Sequence, residues 1–229
     1  MRPATESASG RLVELVGPAG AGKSTLARAF PNADRSGWSR LSIWGLPLPL
    51  LMNSAVTLVP TVMRALVGGK PLRPSEIAQM VRLGALRLAV ERVADGEARW
   101  IVLDEGPVFG LTWLDVFFGR NGDPGWSEWR RNTLDSWAVR LDAVVRLDAA
   151  DPVLAHRIRA RLQNHMVKDR SDEEIFAFLA RFRCAYDRVL AELCAGGRPV
   201  VMHLKTDASA PIGGVPRLRA TIEEALRGR

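Results

Sequence analysis

Residues 11–25 read Arg-Leu-Val-Glu-Leu-Val-Gly-Pro-Ala-Gly-Ala-Gly-Lys-Ser-Thr, and the expected fold follows from this stretch. Its first part, residues 12–16, is an apolar run interrupted only by Glu14 and predicts a buried β-strand. Residues 17–24 then match the pattern G-x-x-x-x-G-K-[ST] at every fixed position. A helix is expected over residues 24–30, because Pro31 disfavours a helical residue before it. Strand, glycine-rich loop and helix in this order predict a nucleotide-binding α/β domain.

The chemistry of a triphosphate explains the spacing of this phosphate-binding loop (P-loop). Glycines allow the loop to bend so that backbone N–H groups point inward, and the helix N-terminus adds free donors and partial positive charge. Lys23 is expected between the β- and γ-phosphates, and Ser24 on a Mg²⁺ ion. The alternative is a glycine-rich turn that binds no ligand. The predicted contacts to ATP are Gly17, Pro18, Ala19, Gly20, Ala21, Gly22, Lys23, Ser24 and Thr25.

The size and composition of the chain favour one domain that spans residues 1–229. Apolar residues make up 47% of the sequence, and the net charge of +7 favours an anionic ligand such as a nucleotide, a nucleic acid or a membrane surface. Two cysteines, Cys184 and Cys194, lie too far apart on one predicted helix to form a disulfide. With no apolar core in residues 1–10, we expect a reduced, cytoplasmic protein without a signal peptide.

Strand and helix patterns alternate along the rest of the chain. Ser75 and Asp151 are expected as N-caps, and Ser171 with Glu174 predicts a capping box. This order predicts a P-loop NTPase three-layer sandwich: a five-stranded parallel sheet, helices on both faces and a helical lid. The predicted strands are residues 12–16, 38–44, 100–105, 143–147 and 199–204. The predicted helices are 24–30, 50–66, 75–95, 108–118, 127–141, a segment from 151, 171–195 and 217–226, with an acceptor-side helical region at about 41–96 and a lid at about 157–171.

A second group of candidate residues stands at the end of an apolar strand, Trp100-Ile-Val-Leu followed by Asp104 and Glu105. An acidic residue at the end of a strand near a P-loop commonly holds Mg²⁺, and Asp104 suits this role. Glu105 is a general base, points into solvent or pairs with an arginine of the lid. Adjacent strand residues face opposite ways, so only one of the two carboxylates is expected to meet the phosphates.

A third group is the basic run Arg157, Arg159, Arg161, Lys168 and Arg170. A solvated helix face is one interpretation. We favour a mobile lid, because the run ends in a short polar loop before a capped helix, and phosphoryl transfer needs arginines to neutralise the moving group. Arg157, Arg161 and Arg170 are the catalytic candidates. The three histidines are interpreted as structural.

With these pieces in order, the chain resembles the thymidylate-kinase-like and deoxynucleoside-kinase-like branch of P-loop kinases. Asp104-Glu105-Gly106 stands where that branch carries an Asp-Arg or Glu-Arg pair, so the arginine is missing here. The resemblance implies ATP and Mg²⁺ as cofactors and a lid at residues 157–170. It also implies adenine contacts from the loop after the last strand, at Lys205, Thr206 and Asp207.

The segment from Leu41 to Met63 has no charged residue, although such kinases bind their phosphate acceptor in this region. We therefore expect an uncharged, partly apolar acceptor, with Trp44 and Asn53 as substrate-binding residues. The alternative is a helix buried in the core or at a homodimer interface. Prolines at 47, 49 and 60 argue against a membrane span.

The leading hypothesis is an ATP-dependent phosphotransferase that acts on a hydroxyl or phosphate of a small molecule. A regulatory P-loop ATPase that acts on a protein partner is the first alternative. A nucleic-acid-modifying kinase, which the net charge motivates, is the second, with nucleic acid a less favoured partner.

Overall fold

The computed structural model describes residues 10–30, 37–94, 100–120, 122–196, 199–206 and 214–227. Five parallel strands form one sheet in the order β2-β3-β1-β4-β5, and helices cover both faces. The predicted α/β three-layer fold is confirmed. The strands are β1 (Arg11–Val16), β2 (Trp38–Leu41), β3 (Trp100–Asp104), β4 (Ala143–Asp148) and β5 (Val200–Lys205).

Eight helices connect or flank the strands within the described residues. They are α1 (Lys23–Ala29), α2 (Leu48–Val67), α3 (Pro74–Ala94), α4 (Pro107–Phe117), α5 (Pro124–Ala138), α6 (Asp151–Arg159), α7 (Asp172–Cys194) and α8 (Gly214–Arg227). Apolar side chains of β1, β3 and β4 are almost fully buried, since these central parallel strands are covered on both sides, whereas the apolar side chains of the edge strand β5 are half-buried.

Strand order explains how distant parts of the chain form one site. β1 lies between β3 and β4, and the register places Leu15 opposite Asp104. Because parallel strands end at the same edge of a sheet, the P-loop after β1 meets the carboxylates after β3. The sheet therefore brings together two motifs that lie far apart in the sequence.

Two predicted helix starts are wrong by one or two residues. Ser75 lies inside α3, which begins at Pro74, and the buried carboxylate of Glu76 accepts the N–H of Arg73 at 2.7 Å. Asp151 is the first residue of α6, with Ala150 as the N-cap, and its carboxylate pairs with the Arg183 guanidinium. At the start of α3 a local hydrogen bond from Arg73 to Glu76, and at the start of α6 a tertiary ion pair with Arg183, take the place of the predicted caps.

The capping box of Ser171 and Glu174 is confirmed at the start of α7, with both reciprocal bonds formed. The second strand is shorter than predicted and ends at Leu41. The two cysteines lie on α7 and are not joined by a disulfide, as expected.

Helix α2 contains Pro60 and continues through it for 20 residues. It packs against α3 and α5 through Leu50, Ser54 and Leu58, and the rest of its surface is largely exposed. By length and composition alone α2 could cross a membrane. Of its most apolar 18-residue stretch, 22% is buried inside the protein.

Candidate active site

The P-loop adopts a conformation that only glycine tolerates at two of its positions. Gly17 has a φ of 145°, and a Cβ there would lie 2.1 Å from the carbonyl oxygen of Leu147. Gly22 has a φ of 90° and precedes α1 without any side-chain cap on the helix. The N-terminal N–H groups of α1 are therefore left for a ligand, which fits an anion such as a phosphate.

Lys23 is buried at the centre of this loop. Its Nζ donates to the carbonyl oxygens of Gly17 at 2.7 Å and Pro18 at 3.1 Å. Burial lowers the pKa of Lys23 to about 8, while the negative charges of Glu105 and Asp104 oppose this change. An anion beside the ammonium group would remove this cost, because an opposite charge favours the charged form.

Glu105 is held in a strained conformation at the end of β3. It is the one residue other than glycine with a positive φ, 63°, among those that the structure describes. Its carbonyl oxygen accepts the N–H of Ile43 at 3.2 Å, and its carboxylate accepts the indole N–H of Trp44. A left-handed conformation costs a side chain roughly 1–2 kcal/mol and is concentrated at functional sites.

The surroundings of Glu105 favour a role as a base. Burial raises the pKa of its carboxyl, and the Trp44 hydrogen bond and the Lys23 charge oppose this change only in part. A carboxylate with a raised pKa is a stronger proton acceptor near neutral pH. The backbone geometry and the electrostatics thus both point to Glu105 as a functional group.

Glu14 of β1 is a functional candidate that our sequence interpretation missed. Its side chain is fully buried and accepts the N–H groups of Gly106 at 3.1 Å, Val108 at 3.0 Å and Phe109 at 3.0 Å. It therefore caps α4 from another strand and fixes the turn that follows Glu105. The only signal in the sequence was a carboxylate in an otherwise apolar strand.

A cavity of about 560 Å³ opens directly onto the P-loop. One of its walls is aromatic, because α4 and α7 each present three aromatic residues four positions apart. Packing of α4 against α7 brings these two stripes together. Lys23, Glu105, Arg161 and His165 complete the lining, and the aromatic residues are Phe109, Trp113, Phe117, Phe178, Phe182 and Tyr186.

For two of these lining residues, the sequence had suggested a role other than lining a cavity. His165, interpreted as structural, has its ring 5.7 Å from that of Phe178, and burial lowers its pKa. Tyr186, interpreted as part of an apolar core stripe, is fully buried and donates its hydroxyl to the carbonyl oxygen of Gly17 at 3.1 Å. A four-residue aromatic spacing indicates a buried helix face but not which neighbour it faces.

The three lid arginines have different surroundings. Arg157 donates to the carbonyl oxygens of Gly20 at 3.3 Å and Thr206 at 2.7 Å, so it ties α6 to the P-loop. Arg161 lines the cavity and is exposed. Arg170 lies apart from the cavity lining and pairs with Glu174 at 3.5 Å. Of the three, Arg161 is the one with a guanidinium at the cavity.

The predicted adenine loop is described only in part. Lys205 is exposed at the end of β5, whereas Thr206 is buried, with its hydroxyl donating to the carbonyl oxygen of Ala21 at 3.1 Å. Thr206 therefore supports the P-loop from behind. Asp207 lies outside the described residues.

The predicted acceptor residues are separated in the structure. Trp44 contacts Glu105 and stacks beneath the guanidinium of Arg82, which lies 4.5 Å from its ring centre. Asn53 is exposed on α2, and no residue from 41–63 is among the described residues that line the P-loop cavity. Arg82 of α3 therefore brings towards the site a positive charge that the uncharged segment 41–63 does not supply.

The residues predicted for Mg²⁺ fit a hard cation in their chemistry. The Oδ1 atom of Asp104 is buried and has no hydrogen-bond partner within the described structure. Ser24 lies on the cavity side of the P-loop. No cluster of three or more His, Cys, Asp or Glu side chains occurs in the described ranges, so an all-protein metal site is not formed there. One hydroxyl and one carboxylate suit an ion that takes its other ligands from phosphate and water.

No protein-family model and no curated protein sequence matches the chain. Among solved structures it is similar to deoxyadenosine kinase from M. mycoides, in a structure with the products dCMP and a flexible dCDP bound. The two chains are 16% identical, with a TM-score of 0.47, and the match covers 95% of this chain and 97% of the other.

Proposed function

We propose that this protein is an ATP-dependent phosphotransferase that moves the γ-phosphate to a hydroxyl of a small, uncharged and partly apolar acceptor. One observation supports this above all: the strained Glu105 and the buried Lys23 line the same aromatic cavity. A switch ATPase needs a site for nucleotide and water, whereas this cavity has room and apolar walls for an organic molecule.

The donor side of the proposed site is the P-loop. Lys23 would exchange its two loop carbonyls for phosphate oxygens, and Ser24 with Asp104 would hold Mg²⁺, which neutralises charge on the phosphates. Arg161 would contact the transferring phosphoryl group from the lid. Arg157 is proposed as a support of the P-loop, because its donors are already used by Gly20 and Thr206.

The acceptor side is the aromatic wall formed by α4 and α7. Flat or apolar groups would pack against Phe109, Trp113 and Phe178, which removes apolar surface from water. A hydroxyl of the acceptor would point to Glu105, which takes its proton as the oxygen attacks. Trp44 is proposed to act on the acceptor indirectly, because its indole N–H holds the Glu105 carboxylate.

The proposal is tested by measuring ADP production from Mg·ATP with and without acceptors of three kinds. These are neutral alcohols with an aromatic ring, including nucleosides, neutral aliphatic alcohols, and the monophosphates of the same nucleosides. We expect an aromatic neutral alcohol to raise turnover at least ~10-fold over ATP alone, with the phosphorylated acceptor detected by mass spectrometry.

Two outcomes would contradict this proposal. ADP production that no acceptor changes, with free phosphate as the product, would favour the regulatory ATPase. Stimulation by nucleoside monophosphates alone would show that the acceptor is charged. Lys23→Ala is the control for contaminating kinases, because the P-loop loses its main point charge and turnover should fall to background.

A further inference from the structure

The indole ring of Trp44 lies between two charged side chains that belong to different elements of the fold. The guanidinium carbon of Arg82, on α3, lies 4.5 Å from the ring centre, and the indole N–H donates to Oε2 of Glu105, directly after β3. A cation contacts the face of an aromatic ring, whereas the N–H bond lies in the ring plane. The two contacts therefore fix both the tilt of the ring and the direction of its donor.

The segment that carries Trp44 does not hold the ring by itself. Its backbone is anchored, because the N–H of Ile43 donates to the carbonyl oxygen of Glu105 at 3.2 Å and that of Trp44 donates to Oγ of Ser42 at 3.3 Å. Trp44 is nevertheless 50% exposed. An exposed side chain exchanges between rotamers unless specific contacts select one. The orientation of the ring therefore depends on Arg82 and Glu105.

Arg82 is available for this contact. It is half-buried, and among the described residues its guanidinium forms no hydrogen bond or ion pair. Arg87, farther along the same helix, pairs instead with Glu91 at 3.0 Å. Because α3 packs against β2 and β3, the base of Arg82 is fixed relative to the strands that Trp44 and Glu105 follow. A guanidinium partly removed from water is favoured by the negative face of an indole, and its charge makes the indole N–H a stronger donor.

We propose that Arg82 is a positioning residue, which holds the Trp44 indole against the Glu105 carboxylate and thereby orients that carboxylate for the acceptor. This role rests on the proposed function, in which Glu105 takes the acceptor proton. Oε2 of Glu105 accepts the indole N–H, so Oε1 is the oxygen left for the acceptor hydroxyl. Without the guanidinium, the indole turns towards water and both carboxylate oxygens lose their fixed direction.

The indole N–H is the side-chain hydrogen bond that directs the Glu105 carboxylate among the described residues. Three other charged groups act on this carboxylate through their charge alone: Lys23, Asp104 and Arg161. Arg82 is not among the described residues that line the cavity, so replacing it leaves the surfaces proposed for ATP and acceptor intact. Its effect on the carboxylate is therefore separable from binding.

The contact is tested first without any substrate, by NMR of the full-length protein with isotope-labelled tryptophan. The chain has seven tryptophans, and Trp44→Phe identifies the Trp44 indole signal as the one that disappears. Arg82→Met keeps an apolar stem but removes the charge, and it should speed the exchange of the Trp44 indole proton with solvent at least ~10-fold. Arg82→Lys, which retains a cation over the ring, should restore most of the protection. Arg92→Met is the matched control, because Arg92 is exposed on the same helix and should leave the signal unchanged.

Turnover with a stimulating acceptor is the second measurement. Arg82→Met should lower kcat at least ~10-fold and change the KM values for ATP and acceptor less than ~3-fold, because a misdirected carboxylate slows the chemical step and not binding. Arg82→Lys should regain most of kcat, and Arg92→Met should match the wild type. A merely structural role would lower the melting temperature without this separation of kcat from KM.

An exchange rate of the Trp44 indole proton that Arg82→Met leaves unchanged would overturn the proposal, whatever reaction the protein catalyses. So would a raised exchange rate with an unchanged kcat, because the contact would then stabilise the loop alone. Failure of the proposed function itself is recognised in the wild type, which no acceptor would then stimulate, while the exchange rates still decide whether Arg82 holds the ring on Glu105.

Discussion

Glu14→Gln tests how the buried carboxylate beneath the site is stabilised. Glu14 is fully buried, and burial raises its pKa from 4.5 to about 8. Three backbone N–H groups of the turn and of α4 donate to it and oppose this rise. Glutamine has the same shape and does not titrate, but its NH2 group cannot accept one of the three N–H groups that the two carboxylate oxygens share. The change of the difference with pH, and not its absolute value, therefore isolates the ionisation of Glu14.

The expected magnitude follows from the two pKa values. Because the folded protein holds the proton more tightly, the contribution of Glu14 to stability is fully present below pH 4.5 and is lost as the pH rises towards 8. The loss is about 1.4 kcal/mol for each pH unit in this range, or about 5 kcal/mol in all. We therefore expect the free energy of unfolding of the glutamine variant, taken relative to that of the wild type, to rise by about 4 kcal/mol between pH 5 and pH 8.

The assay is urea unfolding of both proteins between pH 5 and 9, followed by tryptophan fluorescence, with the difference in free energy plotted against pH. Glu128→Gln is the matched control, because Glu128 is exposed and its difference should stay within about 0.5 kcal/mol at every pH. A Glu14 difference that does not change with pH would refute the reasoning. A wild type that gains stability with pH would show that the three N–H donors keep the carboxylate ionised.

Four further substitutions address the proposed chemistry and the turn that follows Glu105. Glu105→Gln should lower kcat by roughly 10²–10⁴ while ATP affinity persists, and unchanged single-turnover rates would remove Glu105 as the base. Arg161→Ala should lower kcat by roughly 10³ or more. Arg170→Ala should keep kcat within a few-fold of wild type, because Arg170 is 61% exposed and pairs with Glu174 outside the cavity. Equal losses of kcat in the two variants would contradict these separate roles. Gly106→Ala should destabilise the fold by about 1–3 kcal/mol, since the new Cβ would lie 2.8 Å from the Glu14 carboxyl carbon. A melting temperature equal to that of the wild type would argue against this contact.

Much of the site was accessible from sequence because its motifs are local. Residues 17–24 form a loop whose spacing alone predicts phosphate contacts, and Asp104 and Glu105 follow an apolar run that predicts a strand. Local patterns also predicted the alternation of strands and helices, including the capping box at Ser171. These features depend on neighbours within a few residues, so one chain read in order is enough to find them.

The cavity could not be predicted from local pattern. The aromatic residues of α4 and α7 show helical spacing, which indicates that they are buried but not that the two helices face each other. Glu14 is similar: a carboxylate in an apolar strand needs distant donors, and only the sheet order shows that they come from the turn after β3. The roles of Arg157 and Arg161 separate for the same reason, since Arg157 lies on α6 against Gly20, whereas Arg161 follows the end of α6 and lies at the cavity.

The uncharged segment 41–63 shows most clearly what sequence alone cannot predict. The sequence by itself determined that this segment is apolar and helical, but an apolar helix can pack on a core, a ligand, a second chain or a lipid surface. The tertiary structure buried one side of α2 on α3 and α5 and left apolar residues of the opposite side, such as Met52, Val56 and Val59, exposed. Burial depends on which surfaces the rest of the chain brings near, and that information lies in contacts between distant residues rather than in the order of adjacent ones.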